Sequence, residues 1–320
     1  MLTRRQFFAA SAACALTPAF AQGYPDRPIR LIVPSAPGGP TDIPARLLSQ
    51  ILPQLGQPAV VENRPGAGGA IGARAAAAAA PDGTTLLVGN TSVLAVIPAV
   101  SASGGYDPAK SFTPVAKISE SYQILVVHPS TPWNSVKEFI DDARANPGKF
   151  NLAHTGAGGL PHLTAELFKA KTGVELVGVP YKSGGEAVTA LLGGQVHATF
   201  EAISILLPLI RAGRVRALGV TSRSRTPLAP DIPTLIEAGV PDYEVTTFYG
   251  VVAPAGTPGD IVAKLNAAIN EGFAAQEMRA ALETLGSTLA LGSAEEFGAF
   301  MKAQGVKWSE VARAANIKVD

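Results

Sequence analysis

The sequence predicts an α/β protein of two lobes, each a mostly parallel sheet covered by helices. Three observations carry that expectation. Short β-rich runs alternate with amphipathic helical stretches, the pattern of parallel strands joined by crossover helices. One strand-turn-helix unit occurs twice: residues 35–48 (SAPGGPTDIPARLL) laid on 155–168 (TGAGGLPHLTAELF) give identities at Gly38/Gly158, Gly39/Gly159, Ala45/Ala165 and Leu47/Leu167. A length of 320 residues with 47% apolar content suffices for one large domain or two ordinary ones.

The first copy opens with a short buried strand over 31–33. A turn of small residues containing Pro37, Gly38, Gly39 and Pro40 follows, and a helix opens at Thr41 or Asp42. Pro44 fits, because a proline in the first helical turn lacks only an N–H with no partner inside the helix. Such a turn leaves the first helical amides unpaired at the positive end of the helix dipole, where a carboxylate, a phosphate or a water-bridged anion fits. Glycine-rich turns recur in any parallel sheet, so one alone means little. Two matching turns in separate halves predict a ligand gripped between them.

In chain order, 24–30 is an extended entry, and the helix over 41–55 aligns Ile43, Leu47, Leu48, Ile51 and Leu55 before Gly56 closes it. A strand over 59–62 leads through a glycine-rich loop into an alanine-rich helix over 70–80, stopped by Pro81-Asp82-Gly83. Gly66, Gly68 and Gly72 loosely resemble a dinucleotide fingerprint. Ile71 stands where that motif needs glycine, and no acid stands near Leu86 or Leu87. A strand over 84–88 ends in Gly89, Asn90, Thr91 and Ser92, small and polar where a parallel strand meets a pocket, which makes Thr91 and Ser92 binding candidates.

The runs 112–118 and 122–127 read as two strands joined by Ser119-Glu120-Ser121, the first crossing between lobes. Lobe 1 is thus expected over 22–121 and 236–320, and lobe 2 over 122–235. Within lobe 2, Ser135 and Glu138 form a capping box for a helix to Ala145. Strands are expected over 150–153, 176–179, 196–200 and 215–220, with helices after the second glycine turn and over 185–192 and 204–212. The Pro- and Arg-rich loop 222–233 breaks the alternation, and the run 243–253 carries the chain back. Ser293 and Glu296 form another capping box before a long helix to about Asn316, whose Phe297, Phe300, Met301 and Trp308 pack along lobe 1.

Residues 1–21 read as an export signal: Arg4 and Arg5, an apolar run from Phe7, and Ala19-Phe20-Ala21 as a cleavage site. The run is too short to span a bilayer. Thr3-Arg4-Arg5-Gln6-Phe7-Phe8 also fits the twin-arginine pattern, and an ordinary secretory leader fits as well. Cys14, the only cysteine, lacks a Leu or Val three residues before it, which argues against a lipid anchor. Cleavage leaves a mature chain with no cysteine, hence no disulfide, thiol nucleophile or cysteine metal site. Net charge is +1, or −1 without the leader, so nothing points to nucleic acid or an anionic membrane surface.

Catalytic apparatus is not visible: the chain has no G-x-S-x-G elbow, P-loop or HExxH motif. His162 and Glu166 share a helix face, but two ligands do not make a metal site, and a histidine bonded to backbone near the helix start is the plainer reading. Asp141-Asp142 reads as a solvated acidic pair. No cofactor or metal is expected. Export, two lobes and paired anion-ready turns instead describe a solute-binding protein; a ligand-binding receptor feeding a signalling system and an exported enzyme are the alternatives.

Six segments carry a family resemblance: VPSAPGGPTDIPARLL (33–48), VVENRPGAGGAIG (60–72), PDGTTLLVG (81–89), HLTAELF (162–168), VPYKSGGEAVTALLGGQV (179–196) and GVVAPAGTP (250–258). In this order, across nearly the whole mature chain, they resemble the periplasmic receptors of tripartite tricarboxylate transporters, the Bug family. The resemblance implies a type II periplasmic binding fold with a hinge and a deep cleft. It also implies a di-, tri- or aromatic carboxylate as ligand, delivery to integral-membrane permease subunits, and a monomer in the periplasm. In that family the turn matching Ser35, Ala36, Pro37, Gly38, Gly39, Thr41 and Asp42 holds one carboxylate, partly through ordered waters. The turn matching Thr155, Gly156, Ala157 and Gly158 meets the ligand from the other lobe. Tyr181, Phe200, Glu201, Phe248 and Tyr249 are then expected to set specificity. The chain departs from the family pattern at His197, usually Asp; at Phe248, commonly Trp; and at Glu201, often a shorter acid or a small residue.

Overall fold

The computed structural model describes residues 23–101, 104–155, 159–181 and 183–318, so the expected export signal lies outside the described residues. The chain begins its sheet with Ile29–Val33 (β1), then turns into the helix Asp42–Ile51 (α1), which tightens to a 3-10 turn over Leu52–Leu55. Gly56, at φ 103°, closes that turn in the left-handed region where glycine is at ease. Ala59–Asn63 (β2), the helix Ala70–Ala77 (α2) and Thr85–Asn90 (β3) follow. β1 pairs in parallel with β2 on one side and β3 on the other. Leu31 and Val33 face Ala45, Leu48 and Ile51 of α1, while Ile32 faces Ala73 and Ala76 of α2. A strand buried on both faces needs the unbroken apolar run that this sequence supplies.

The second half repeats this plan. Val136–Ala145 (α3), Asn151–Thr155 (β5), Leu160–Thr172 (α4), Val177–Tyr181 (β6), Gly184–Leu192 (α5), Ala198–Ala202 (β7), Ile203–Arg211 (α6) and Arg216–Val220 (β8) come in that order. β5 is flanked in parallel by β6 and β7, as β1 is by β2 and β3. With Phe112–Val127 as β4 and Thr246–Pro254 as β9, the sheet order β2-β1-β3-β9-β4-β7-β5-β6 holds two three-strand units of the same internal order. Each reverses beside its first strand. That switch point, at the carboxyl ends of the strands, is where open α/β sheets leave a crevice.

Between the units runs Phe112–Val127 (β4), one strand of 16 residues rather than two. Up to Tyr122 it lies antiparallel to Thr246–Pro254 (β9); from Gln123 it pairs with β7 and β8. The expected break at Ser119-Glu120-Ser121 is absent because all three residues are paired on both sides, with β9 and with Ser287–Leu289 (β10). Backbone pairing on two edges overrides a polar tripeptide. After β9 come Gly259–Ala274 (α7), Gln276–Thr284 (α8) and, beyond β10, Ala294–Ala314 (α9).

Other departures are local. β3 runs on through Asn90 into a π-helical turn, Ser92–Val96, and a short helix Ile97–Val100, where the sequence reading placed only a polar turn. The box at Ser293 and Glu296 is complete. At Ser135 it is half formed: the Glu138 amide donates to Ser135 Oγ, but the Glu138 carboxylate accepts from the Asn134 amide instead. Asp142 is not merely solvated, since it accepts from Trp133 Nε1 at 2.7 Å and Asn146 Nδ2 at 2.8 Å. α9 packs on both halves: Phe297 and Met301 sit with Ile32 and Phe248, whereas Trp308 and Ala312 sit in a cluster with Leu163 and Phe168.

Candidate functional site

The turn after β1 is built around Asp42. This side chain is fully buried at the start of α1; its Oδ2 accepts from the Gly38 amide at 2.8 Å and Arg46 Nε at 2.6 Å, and its Oδ1 from Asn63 Nδ2 at 2.8 Å. Asn63 Nδ2 also donates to Ser35 O at 3.1 Å, tying the end of β2 to the turn. Burial alone would raise the Asp42 pKa, but the hydrogen bonds from Arg46, Asn63 and Gly38 outweigh it and hold the carboxyl below its ordinary range. Gly38, at φ 77°, supplies the left-handed bend that aims its N–H inward.

This corrects the expectation that the first amides of the helix stand free. The Gly38 amide is taken by the chain's own carboxylate, and the amides of Asp42 and Ile43 donate back to Gly39 O. What the turn leaves without a partner among the described residues is the amides of Ser35, Ala36 and Thr41 and the buried hydroxyl of Ser35. Ala36, Pro37 and Gly38 are exposed. Thr41 is buried, its Oγ1 accepting from Asn90 Nδ2 at 2.8 Å.

At the end of β3, Thr91 is fully buried and its hydroxyl is fully used: it donates to Thr246 O at 3.1 Å and accepts from the Phe248 amide at 2.8 Å. Thr91 therefore pins the start of β9 and does not offer its hydroxyl to a ligand. Ser92, half-buried, opens the π-helical turn.

In the second half, Thr155 pairs with Tyr181 across β5 and β6. Ala153 pairs with Thr199 across β5 and β7, so two residues further along the same register Thr155 stands level with Glu201. Thr155, Tyr181 and Glu201 thus form one row at the carboxyl rim of the sheet, with the starts of α4 and α5 beside it. Gly156, Ala157 and Gly158 lie outside the described residues. The Glu201 side chain is 6% exposed, and Oε2 accepts from the Ala202 amide at 3.1 Å. Its carboxylate lies against the first residue of α5: a Cβ on Gly184 would come within 2.6 Å of Oε2. Burial raises the Glu201 pKa, and the Ala202 amide opposes this only in part.

Under this rim His154 and His162 stack with ring centroids 4.2 Å apart. Burial, with His162 and Lys169 nearby, pushes His154 down to about 4, and burial lowers His162 against the pull of Glu166. Both rings are neutral at pH 7. His162 Nε2 lies 3.8 Å from Glu166, whose carboxylate is bonded to Lys169 at 2.6 Å. The shared helix face is therefore part of a packed pair of rings, not a metal site in the making.

Known proteins give this geometry a family. The family profile described as tripartite tricarboxylate transporter family receptor (TctC) matches residues 45–317. The chain belongs to that receptor family. It is 37% identical to Protein BugT of Bordetella pertussis over 304 residues, covering 94% of this chain and 93% of that protein. Among solved structures, R. palustris Rpa4515 with adipate is 36% identical with a TM-score of 0.78, covering 92% of this chain and 99% of that one. MatC of Rhodopseudomonas palustris with bound malate is 35% identical with a TM-score of 0.75, covering 90% and 99%. The receptor thus has the two-lobed type II periplasmic binding fold.

Two residues expected to line this receptor's pocket are core instead. Phe200, 1% exposed, packs 5.6 Å from Phe168 and 6.0 Å from Tyr243 between ring centroids. Phe248 is fully buried between Phe297 and Phe300. Strand alternation explains the first: Glu201 faces one side of β7, so Phe200 must face the other. Tyr249 is 5% exposed, and burial raises its pKa against a hydrogen bond with Ser121. His197 directly precedes β7, at the amino end of the strand and away from the carboxyl rim, and accepts from the Asn151 amide at 3.0 Å. Sequence reading missed Asn63, Arg46 and Asn90, which brace the first turn; the only signal for them was their place at the ends of β2, α1 and β3.

Proposed function

We propose that this receptor captures an organic carboxylate between the turn at 35–42 and the turn at 155–158, and hands it to integral-membrane permease subunits. The observation that carries the reading is the placement of these turns: both follow the middle strand of a β2-β1-β3 or β6-β5-β7 unit, at equivalent switch points. Two relatives with bound adipate and malate support the ligand class. The lobes on this reading are 22–121 with 236–320, and 122–235. The polypeptide passes between them where β4 changes partners and again near Val245, whose amide donates to Thr221 O.

On the first lobe the ligand carboxylate meets the Ala36 and Thr41 amides and the Ser35 hydroxyl, with waters filling the rest. Asp42 shapes the turn without touching the ligand. A micromolar ligand requires about 8 kcal/mol, and charge-assisted hydrogen bonds contribute roughly 1.5–3 kcal/mol each, so a handful of main-chain contacts suffices before the costs of association. The receptor works as a periplasmic monomer and carries out no chemistry on what it binds. A thermal-shift screen of mono-, di-, tri- and aromatic carboxylates tests this, because a ligand bound only by the folded form raises Tm. A raised Tm with the acid recovered intact supports capture; no shift with any acid, or turnover, refutes it.

A further inference from the structure

Net charge alone points to no anionic partner, yet the fold sorts the charges by end. In the second unit β5, β6, β7 and β8 all start at one end and β4 finishes there, because β5 is parallel to β6 and β7 while β4 runs antiparallel to β7 and β8. This amino rim lies opposite the carboxyl rim. Hydrogen bonds tie its loops together: the His128 amide donates to His197 O at 3.2 Å, the His197 amide to Asn151 O at 3.0 Å and the Gly148 amide to Glu175 O at 3.0 Å. Arg216 Nη1 donates to Thr131 O at 3.0 Å and Trp133 O at 2.9 Å, and Nη2 to Pro129 O at 3.3 Å. Segments scattered from 128 to 216 thus become one surface.

The loops that meet there, 128–135, 146–150, 173–176, 193–197 and 211–216, bring Lys149, Arg211, Arg214 and Arg216 against one acid, Glu175. None of these cations pairs with a carboxylate among the described residues, and Lys149, Arg211 and Arg214 are exposed. The acids of the adjoining α3 have partners of their own: Lys137 for Asp141, Trp133 and Asn146 for Asp142, and the Asn134 amide for Glu138. A helix dipole accounts only for Arg211, in the last turn of α6, since its reach does not extend to Arg214 or Lys149. At the amino rim of the first unit the sign is reversed. There Arg27 pairs with Asp82 and Lys110 with Asp107, while Asp26 and Asp260 are exposed and without a cation among the described residues.

We propose that the amino rim of the second unit rests on a surface of anionic lipid headgroups, holding the receptor at the membrane with the carboxyl rim turned away from it. The cations stand on separate loops rather than around one point, which suits a diffuse negative surface better than a single carboxylate. Each Lys or Arg close to such a surface multiplies the partition roughly fivefold, so the three exposed ones give a gain on the order of a hundredfold. That concentrates the receptor at the bilayer and still lets it leave. The inference goes beyond carboxylate capture and does not depend on it.

Co-sedimentation of the exported protein with lipid vesicles tests the assignment. At about 0.1 M salt, where screening confines each charge to about 10 Å, the protein should bind vesicles of phosphatidylcholine and phosphatidylglycerol in equal parts at least roughly tenfold more strongly than phosphatidylcholine alone. At about 1 M salt the difference should vanish. Arg211→Glu with Arg214→Glu should bring binding down to the level on neutral vesicles. Lys302→Glu with Arg313→Glu on α9 changes net charge by the same amount, at side chains that are also exposed and without an ion pair, and should leave binding within about twofold. All four side chains face solvent, so the melting temperatures of both variants should match that of the wild type. Equal binding to the two kinds of vesicle, no binding to the anionic ones, or the same loss from the α9 pair overturns the assignment. Binding to soluble polyglutamate without binding to the anionic vesicles also overturns it, and gives the surface to an acidic protein instead. The thermal-shift screen of carboxylates reads the cleft independently of each of these outcomes.

Discussion

Asp42 and Glu201 are both buried acids at the carboxyl rim of a three-strand unit, each beside the start of a helix, and they are treated in opposite ways. Asp42 accepts three hydrogen bonds and is held ionised; Glu201 accepts one and is pushed toward its neutral form. A carboxylate surrounded by donors is part of the scaffold. One left with a single amide among the described residues is held at a cost to the fold, which burial makes larger. The two units thus differ: the first satisfies its buried acid with three donors, and the second leaves Glu201 of β7 with one among the described residues.

The comparison is broken most severely by Asp42→Ala, which strands the Gly38 amide and Asn63 together. Leaving a buried group unsatisfied costs roughly 1–3 kcal/mol, so urea denaturation should show a loss of about 3 kcal/mol, and ligand binding should vanish with the shape of the turn. By contrast Glu201→Gln should leave stability unchanged or raise it, since it removes an uncompensated charge. If the glutamine variant loses as much stability as the alanine one, the contrast between the two acids is wrong.

Gly38→Val comes next. Its φ of 77° strains any branched side chain, although a Cβ there meets nothing within 4 Å. The variant should fold at an expense of about 1–2 kcal/mol and lose at least roughly tenfold in ligand affinity, as read by calorimetry. A Gly158 counterpart tests whether the second turn is as demanding.

Acid should pull the two carboxylates apart. Asp42 has a depressed folded-state pKa, so its contribution is present above the unfolded value near 4 and is lost as pH falls through the lower folded value. Glu201 has a raised one, so its penalty is absent below the unfolded value near 4 and grows as pH rises toward the folded value. The stability advantage of Glu201→Gln should therefore widen on going from acid to neutral pH; denaturation midpoints across that range check the sign. The smallest effect is expected from His197→Asp, at the amino end of β7 and away from the carboxyl rim. Ligand affinity should not change, and a change would mean that the two ends communicate.

Much of this was legible in the residues. The glycine-proline turn after an apolar strand located β1, α1 and their repeat, and the capping box at Ser293 located the last helix. What stayed hidden depended on partners distant in the chain. Ser119-Glu120-Ser121 reads as a break until β9 and the three-residue β10 arrive on either side. Asp42 reads as a ligand-facing residue at the start of a helix until Asn63, 21 positions on, donates to it. Phe200 and Phe248 read as specificity residues on the family resemblance, whereas the alternation of faces along β7, already present in the sequence, sends Phe200 to the core.

A single 21-residue rod, Ala294–Ala314, is anchored by Phe297 and Met301 in one hydrophobic mass and by Trp308 and Ala312 in the other. Such a splint behind the crossing strands ties the two masses to one helix. A shift of the two masses against each other would move Trp308 among its neighbours, and the emission of its indole ring is expected to report it.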